Sequence, residues 1–144
     1  MKRILLILFF ALMLGTAVAC TTPTKEAPDS APAVDLNAAL NLADTVDVQT
    51  VASVKDRDDV FVIDVREQWE YDEGHIPGVT LIPMGEVADR LAEIPTDKEV
   101  IVTCRSGNRS GQITDFLRSQ GYDNIHNMDG GILAWEAAGY EVEK

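Results

Sequence analysis

From residue 46 to the end of the chain, short apolar runs alternate with segments of helical pattern. Two of the runs, VFVIDV at 60–65 and EVIVTC at 99–104, are continuous and rich in β-branched residues. Such runs are typical of strands that are buried on both faces, as in the centre of a parallel sheet. Two weaker runs predict further strands at 79–82 and 122–127.

Segments with a helical pattern lie before, between and after these runs. They cover 49–55 after Asp47, 86–92, 109–120 before Gly121, and 132–138 before Gly139. Asp47 is a suitable N-cap, and glycine is a common residue just after a helix. Strands that alternate with helices of this length predict a single α/β domain, which we place at residues 46–144. Residues 34–43 fit either a helix packed on this domain or a continuation of a linker.

The first 19 residues differ in composition from the rest of the chain. Lys2 and Arg3 precede an apolar run at 4–14, and small residues follow at 15–19. These are the three parts of a secretory signal peptide. The apolar run is also shorter than the roughly 20 residues that a membrane-spanning helix needs. We therefore expect residues 1–19 to be a signal peptide and the mature protein to be exported.

Cys20 follows the signal directly, and the next stretch, TTPTKEAPDSAPA, has the composition of a flexible tether. This arrangement resembles a bacterial lipoprotein, in which the cysteine after the signal carries the lipid. Ala17 departs from that pattern, which usually has Leu there, and AVA would equally suit an ordinary cleavage that releases a soluble protein. We expect lipid attachment at Cys20, a linker over 20–45, and a location on the periplasmic or extracytoplasmic side of the cell envelope.

The formal net charge of −12 limits the classes of partner. Removal of the signal also removes two basic residues, so the mature chain is more acidic still. Such an excess argues against nucleic-acid binding and against electrostatic attachment to anionic lipid, so any membrane contact would go through the lipid on Cys20. Two distant histidines and one remaining cysteine supply no plausible set of metal ligands, and we expect no cofactor.

Against this acidic background, CRSGNRS at 104–110 gathers positive charge around a cysteine. The segment joins a predicted strand to a predicted helix, at the edge of a parallel sheet where ligands bind. Loop N–H groups, the helix N-terminus, Arg105 and Arg109 would all favour a thiolate at Cys104 and an anionic substrate. Gly107 suits a loop that requires positive φ. If Cys20 carries lipid, Cys104 is the only thiol; without lipid, a Cys20–Cys104 disulfide is an alternative.

Three blocks of the sequence then carry a family resemblance. In order and spacing, residues 62–83, 101–110 and 121–140 resemble the rhodanese-like sulfurtransferase domain, and the likeness covers about 46–142. The resemblance implies a rhodanese fold, a five-stranded parallel sheet flanked by helices. It also implies a persulfide intermediate at Cys104. The implied substrate loop consists of Arg105, Ser106, Gly107, Asn108, Arg109 and Ser110.

This resemblance implies a sulfurtransferase. Sulfane sulfur would pass from a small anionic donor such as thiosulfate, through Cys104, to cyanide or a thiol, including a thiol on a protein. Ser106 and Ser110 would either donate hydrogen bonds to the sulfur or cap the following helix. Arg109→Ala should lower turnover roughly ten- to a hundredfold and leave fold stability little changed, because a loop arginine is expected to anchor no core.

Other residues in the blocks are interpreted as structural supports. Asp64 and Arg66 can form an ion pair that holds neighbouring loops, and Glu70 can join it from the next helical turn. His75 is expected to bond to loop backbone, because an already ionised nucleophile needs no general base. The tryptophans at 69 and 135 are expected to pack in the interior.

Two other classes of function compete with this interpretation. Cysteine-dependent phosphatases, and with them arsenate reductases, place an arginine six positions after the cysteine, whereas position 110 is Ser and the arginine comes at 109. The loop is thus one residue short for a phosphate cradle. The other alternative is a non-catalytic rhodanese-like module for binding or for carrying sulfur. The presence of Cys104 with two arginines favours the enzyme.

Overall fold

The computed structural model describes residues 40–144, so the predicted signal peptide, Cys20 and most of the predicted linker lie outside the described residues. Five parallel strands form one sheet, in the order β1-β5-β4-β2-β3. The strands are β1 (Thr45–Val46), β2 (Val60–Asp64), β3 (Thr80–Leu81), β4 (Glu99–Thr103) and β5 (Ile125–Met128). The five-stranded parallel sheet implied by the resemblance is therefore confirmed.

The two strongest apolar runs form the middle of the sheet. β2 pairs with β4 along its whole length, from Val60 opposite Glu99 to Asp64 opposite Thr103, and β5 lies on the other side of β4. Ile63 and Val102 are fully buried, as β-branched residues in a central parallel strand should be. Because β2 and β4 end at the same level, the residues that follow them meet at one edge of the sheet.

Four α-helices connect the strands: α1 (Val48–Val54), α2 (Gln68–Glu73), α3 (Asn108–Ser119) and α4 (Gly131–Ala137). Asp47 caps α1 as predicted, accepting the Thr50 N–H at 2.7 Å. Val51 of α1 and Trp135 of α4 pack in one apolar cluster with β2 and β4, while Leu117 of α3 packs in a second. The alternate strand residues belong to different clusters, so the sheet is covered on both faces.

Local details differ from the sequence predictions at three places. The helix predicted at 86–92 is wrong as an α-helix: two 3₁₀ turns, Val87–Asp89 and Leu91–Glu93, occupy the region, and they break at Arg90, where ψ is +21°. Helix α2 and strand β1 were not predicted. Between residues 40 and 144, no helix is long and apolar enough to cross a membrane.

Candidate active site

Cys104 is the first residue after β4, at the centre of the sheet's carboxyl edge. The chain then turns back into α3, whose N-cap is Gly107 with φ of 91°. A side chain at this glycine would be strained, and its Cβ would also lie 3.1 Å from the backbone nitrogen of Gly130. The turn places the Cys104 side chain beneath the N-terminus of α3, where it is only 1% exposed.

The Cys104 sulfur is surrounded by hydrogen-bond donors from its own loop. The Gly107 N–H donates to Sγ at 3.2 Å, and the Ser110 hydroxyl lies 3.4 Å from Sγ and 3.1 Å from the Gly107 carbonyl. Burial raises the pKa of the Cys104 thiol, but the Ser110 hydroxyl and the N–H groups of Ser110, Ser106 and Gly107 lower it by more. The net pKa is lowered, so the loop favours the thiolate.

The two loop arginines have different surroundings. Arg105 is exposed, as are Ser106 and Asn108. Arg109 instead donates two hydrogen bonds to Glu70, Nη1 to Oε2 and Nη2 to Oε1, both at 2.7 Å. Arg109 was expected to anchor no core, but it does join two elements, because this ion pair ties the start of α3 to α2. Glu70 chiefly, and the Coulomb attraction of Cys104 to a smaller extent, raise the pKa of Arg109.

The sequence suggested that Glu70 could join the Asp64–Arg66 pair. Its carboxylate does not do so, because it binds Arg109 instead. Hydrogen bonds from Arg109 and from the Glu67 N–H, set against burial, lower the pKa of Glu70 to about 2. Arg66 contacts it through the backbone, donating to the Glu70 carbonyl at 3.2 Å and to the Gly74 carbonyl at 2.8 Å. The Arg66–Asp64 ion pair itself is present at 2.7 Å and is almost fully buried, so it fixes α2 against the end of β2.

His75 lies against backbone, as expected, but its ring contacts the backbone of α2 and not that of a loop. Its Nδ1 is 3.0 Å from the Tyr71 carbonyl, and its ring stacks on Tyr71 at 3.7 Å. Its backbone exchanges hydrogen bonds with Glu143 near the C-terminus. Of the two tryptophans, Trp135 is buried as predicted, but Trp69 is 63% exposed, so its predicted packing role is wrong.

Helix α4 holds the loop at 104–110, a contact that was not predicted from the sequence. The N–H groups of Ile132 and Leu133 donate to the carbonyls of Cys104 and Arg105, at 2.9 and 3.1 Å. Gly131 allows this approach, since a Cβ there would lie 2.4 Å from the Cys104 carbonyl oxygen. The paired glycines before the last predicted helix were the available signal, but their partner loop lies far away in sequence.

The described residues contain no group of three or more His, Cys, Asp or Glu side chains that could hold a metal ion. The site is thus built from a thiol, hydroxyls, backbone N–H groups and one ion pair. Such a set is suited to nucleophilic attack by sulfur on an anionic substrate, with the resulting charge held by N–H groups.

Comparison with known proteins gives consistent matches. Residues 47–138 match the family model of the rhodanese-like domain. A sulfurtransferase of Allochromatium vinosum is 40% identical over 87 residues, which cover 60% of this chain and 81% of that protein. The thiosulfate sulfurtransferase GlpE of Pseudoalteromonas translucida is 32% identical over 93 residues, covering 65% and 89%. A crystal structure of a rhodanese-related protein from Thermoplasma volcanium matches with a TM-score of 0.63 and 31% identity, covering 70% of this chain and 98% of that one.

Proposed function

Because this chain belongs to the rhodanese-like domain family, we propose that it is a sulfurtransferase that carries sulfane sulfur on Cys104. The proposal rests on the hydrogen-bond donors around the sulfur. The Gly107 N–H at 3.2 Å and the Ser110 hydroxyl at 3.4 Å lower the pKa of the buried Cys104 thiol. A structural cysteine in an apolar core would have a raised pKa instead.

In the first step, the Cys104 thiolate attacks the outer sulfur of thiosulfate. A Cys104–sulfur bond forms, the sulfur–sulfur bond of the donor breaks, and its electron pair leaves with sulfite. The product is a Cys104 persulfide anion, whose terminal sulfur extends toward the same N–H groups. The donor approaches from the exposed side of the loop, where Arg105, Ser106 and Asn108 lie. The negative charge is held by fixed dipoles throughout, as oxygen is in an oxyanion hole.

In the second step, a nucleophilic acceptor attacks the terminal sulfur. Cyanide takes the sulfur as thiocyanate, and a thiolate takes it as a persulfide; in either case the Cys104 thiolate is regenerated. The two half-reactions share one covalent intermediate, so ping-pong kinetics are expected.

Intact mass spectrometry under non-reducing conditions tests this function. After incubation with thiosulfate, the protein should gain the mass of one sulfur atom, and cyanide should remove it. Cys104→Ser is the control and should gain nothing. If the unmodified mass persists for the wild-type chain, the sulfurtransferase proposal is wrong.

The near-complete burial of Cys104 favours one competing function, a rhodanese-like module that binds a partner or stores sulfur without turnover. The enzyme and the carrier differ in the rate of the second step, the transfer of sulfur to an acceptor. A carrier would take up sulfur from thiosulfate but return it to cyanide or dithiothreitol at a rate no faster than a free alkyl persulfide. A phosphatase is less well supported, since Arg109 comes one residue early and is engaged by Glu70.

We also propose that the protein acts outside the cytoplasm, attached to the cell envelope through a lipid on Cys20. The support is the sequence alone: a signal-like segment, a cysteine at its end, and a polar tether. Labelled palmitate should enter the wild-type protein and not Cys20→Ser, which should be released into the soluble fraction. An unmodified Cys20 at the N-terminus of a soluble mature protein would contradict the proposal.

A further inference from the structure

The ion pair between Arg109 and Glu70 changes the charge that a donor meets at the active site. Both carboxylate oxygens of Glu70 accept from the terminal nitrogens of Arg109, at 2.7 Å each. The Glu70 side chain is 10% exposed and that of Arg109 is 31% exposed, so solvent screens this pair only in part. A guanidinium held in this way offers an incoming anion much less than a full positive charge.

The neighbouring Arg66 does not make up for the positive charge that Glu70 neutralises on Arg109. Arg66 lies close to Glu70, but its own partner, the Asp64 carboxylate, is 2.7 Å away. The two ion pairs, Asp64–Arg66 and Glu70–Arg109, are each neutral, so together with the Cys104 thiolate they leave one negative charge in excess. The remaining attraction for a donor comes from the loop N–H groups and from Arg105 on the exposed side.

We propose that Glu70 is a specificity-determining residue. By holding Arg109 in an internal ion pair, it makes the site less favourable for sulfane donors with two negative charges than for donors that have the same reacting group and one negative charge. This inference rests on the proposed sulfurtransferase function and adds to it the donor class that the site prefers. Glu70 acts through Arg109 and does not itself touch the reacting sulfur, so it is a positioning residue.

Thiosulfate and methanethiosulfonate form a suitable pair of probes. Each presents an outer sulfur bonded to a sulfonyl sulfur; thiosulfate is a dianion and methanethiosulfonate a monoanion. With either donor, the Cys104 thiolate bonds to the outer sulfur and the sulfur–sulfur bond breaks. Sulfite leaves in the first case and methanesulfinate in the second, so charge and electrons balance. The ratio of the two kcat/KM values measures selectivity for the extra charge.

Glu70→Gln removes the negative charge while keeping the size and hydrogen-bonding capacity of the side chain. In the full-length protein it should raise the ratio of kcat/KM for thiosulfate to kcat/KM for methanethiosulfonate roughly three- to tenfold. This is the effect expected for one unit charge acting on another across several ångströms of partly screened space. The change should lie mainly in KM for thiosulfate. The matched control is Glu73→Gln, which removes the same charge from an exposed position of the same helix. Its ratio should stay within about twofold of the wild type.

A double-mutant cycle tests whether Glu70 acts through Arg109. In an Arg109→Gln background, Glu70→Gln should raise the ratio by less than in the wild type, because the carboxylate's own repulsion of a dianion is relieved but no guanidinium is released; an equal rise in both backgrounds would show that Glu70 does not act through Arg109. A purely structural role for Glu70 would instead lower kcat/KM for both donors equally and leave the ratio constant in every background, which would overturn the proposal. If Glu70→Gln does not fold, Glu70→Asp serves, because its shorter side chain cannot keep both hydrogen bonds. It should shift the ratio in the same direction by less, and an unshifted ratio there would also be decisive against the proposal.

Failure of the two proposals can be told apart. If the wild-type protein accepts sulfur from neither donor, the proposed function is wrong and the selectivity inference falls with it. If it accepts sulfur from both, and the ratio does not respond to Glu70, only the selectivity inference is wrong.

Discussion

At the scale of single residues, hydrogen-bond donors stabilise the Cys104 thiolate more directly than the loop arginines do. Desolvation acts on the whole buried thiol and raises its pKa. The groups that lower this pKa are the Ser110 hydroxyl and three backbone N–H groups, all fixed by the turn into α3. Arg109, which the sequence suggested as a direct partner of the sulfur, is engaged by Glu70. The loop therefore lowers the pKa of Cys104 with a hydroxyl and backbone N–H groups, and not with the arginine charges that its composition suggested.

Arg109→Ala is expected to reduce both activity and stability. Without Arg109, Glu70 keeps a negative charge near the site, so turnover with thiosulfate should fall roughly ten- to a hundredfold. The carboxylate is also left mostly buried without its main partner, which should cost about 1–3 kcal/mol of unfolding free energy at pH 7. Urea unfolding measures the stability change. Arg105→Ala is the matched control, and as an exposed loop arginine it should change stability by less than about 0.5 kcal/mol.

The stability difference between the wild type and Arg109→Ala should depend on pH. The folded-state pKa of Glu70 is lowered from 4.5 to about 2, chiefly by Arg109. A carboxylate with a lowered pKa contributes stability that is present above its unfolded pKa and is lost as the pH falls through the folded one. The difference should therefore be largest above about pH 5 and should shrink between about pH 4.5 and 2. A difference that stays constant across this range would show that the ion pair is not its source.

At the scale of elements, α4 holds the loop at 104–110 through two backbone hydrogen bonds, in addition to the strand and helix that flank the loop in sequence. Gly131→Ala should push α4 away, because the new Cβ would lie 2.4 Å from the Cys104 carbonyl oxygen and 2.6 Å from the Arg105 carbonyl carbon. We expect a loss of about 2–4 kcal/mol in unfolding free energy and a marked loss of sulfur transfer. Gly121→Ala is the control, since Gly121 also has positive φ but has nothing within 4 Å of its would-be Cβ. It should lose only about 1 kcal/mol and keep its activity.

The strong elements were predictable because their signals are local. The β-branched runs at 60–65 and 99–104 became β2 and β4, and Asp47 capped α1. The weaker run at 79–82 contains β3, whereas β1 was missed because its two residues are too few for a period-2 pattern to show. The Glu70–Arg109 pair joins residues 39 positions apart, and no spacing rule reaches that far. Trp69 looked like a core residue by type, but its helix buries Glu70 instead.

At the scale of the whole molecule, the segment just before the predicted domain boundary at residue 46 is part of the folded unit. The Ala43 carbonyl lies 2.7 Å from Nδ1 of the buried His126, and Arg118 contacts both the carbonyl and the carboxylate of Asp44. Val46 is 5% exposed, and its carbonyl accepts from the Asp129 N–H at 2.9 Å. Asp129 directly precedes the glycines from which α4 starts, so this segment supports the element that holds the loop at 104–110.

Two truncations test this boundary. A chain that starts at residue 40 keeps all five strands and the contacts of Ala43 and Asp44, so its unfolding free energy and sulfur transfer should match those of the mature protein. A chain that starts at residue 47 loses the pairing of β1 with β5, the burial of Val46 and the partner of His126 Nδ1. Burial of one valine and several hydrogen bonds together should be worth about 3 kcal/mol or more. Urea unfolding and thiosulfate turnover measure both. If the shorter chain is equally stable and active, the segment before residue 47 is only the end of a tether, and α4 holds the loop without it.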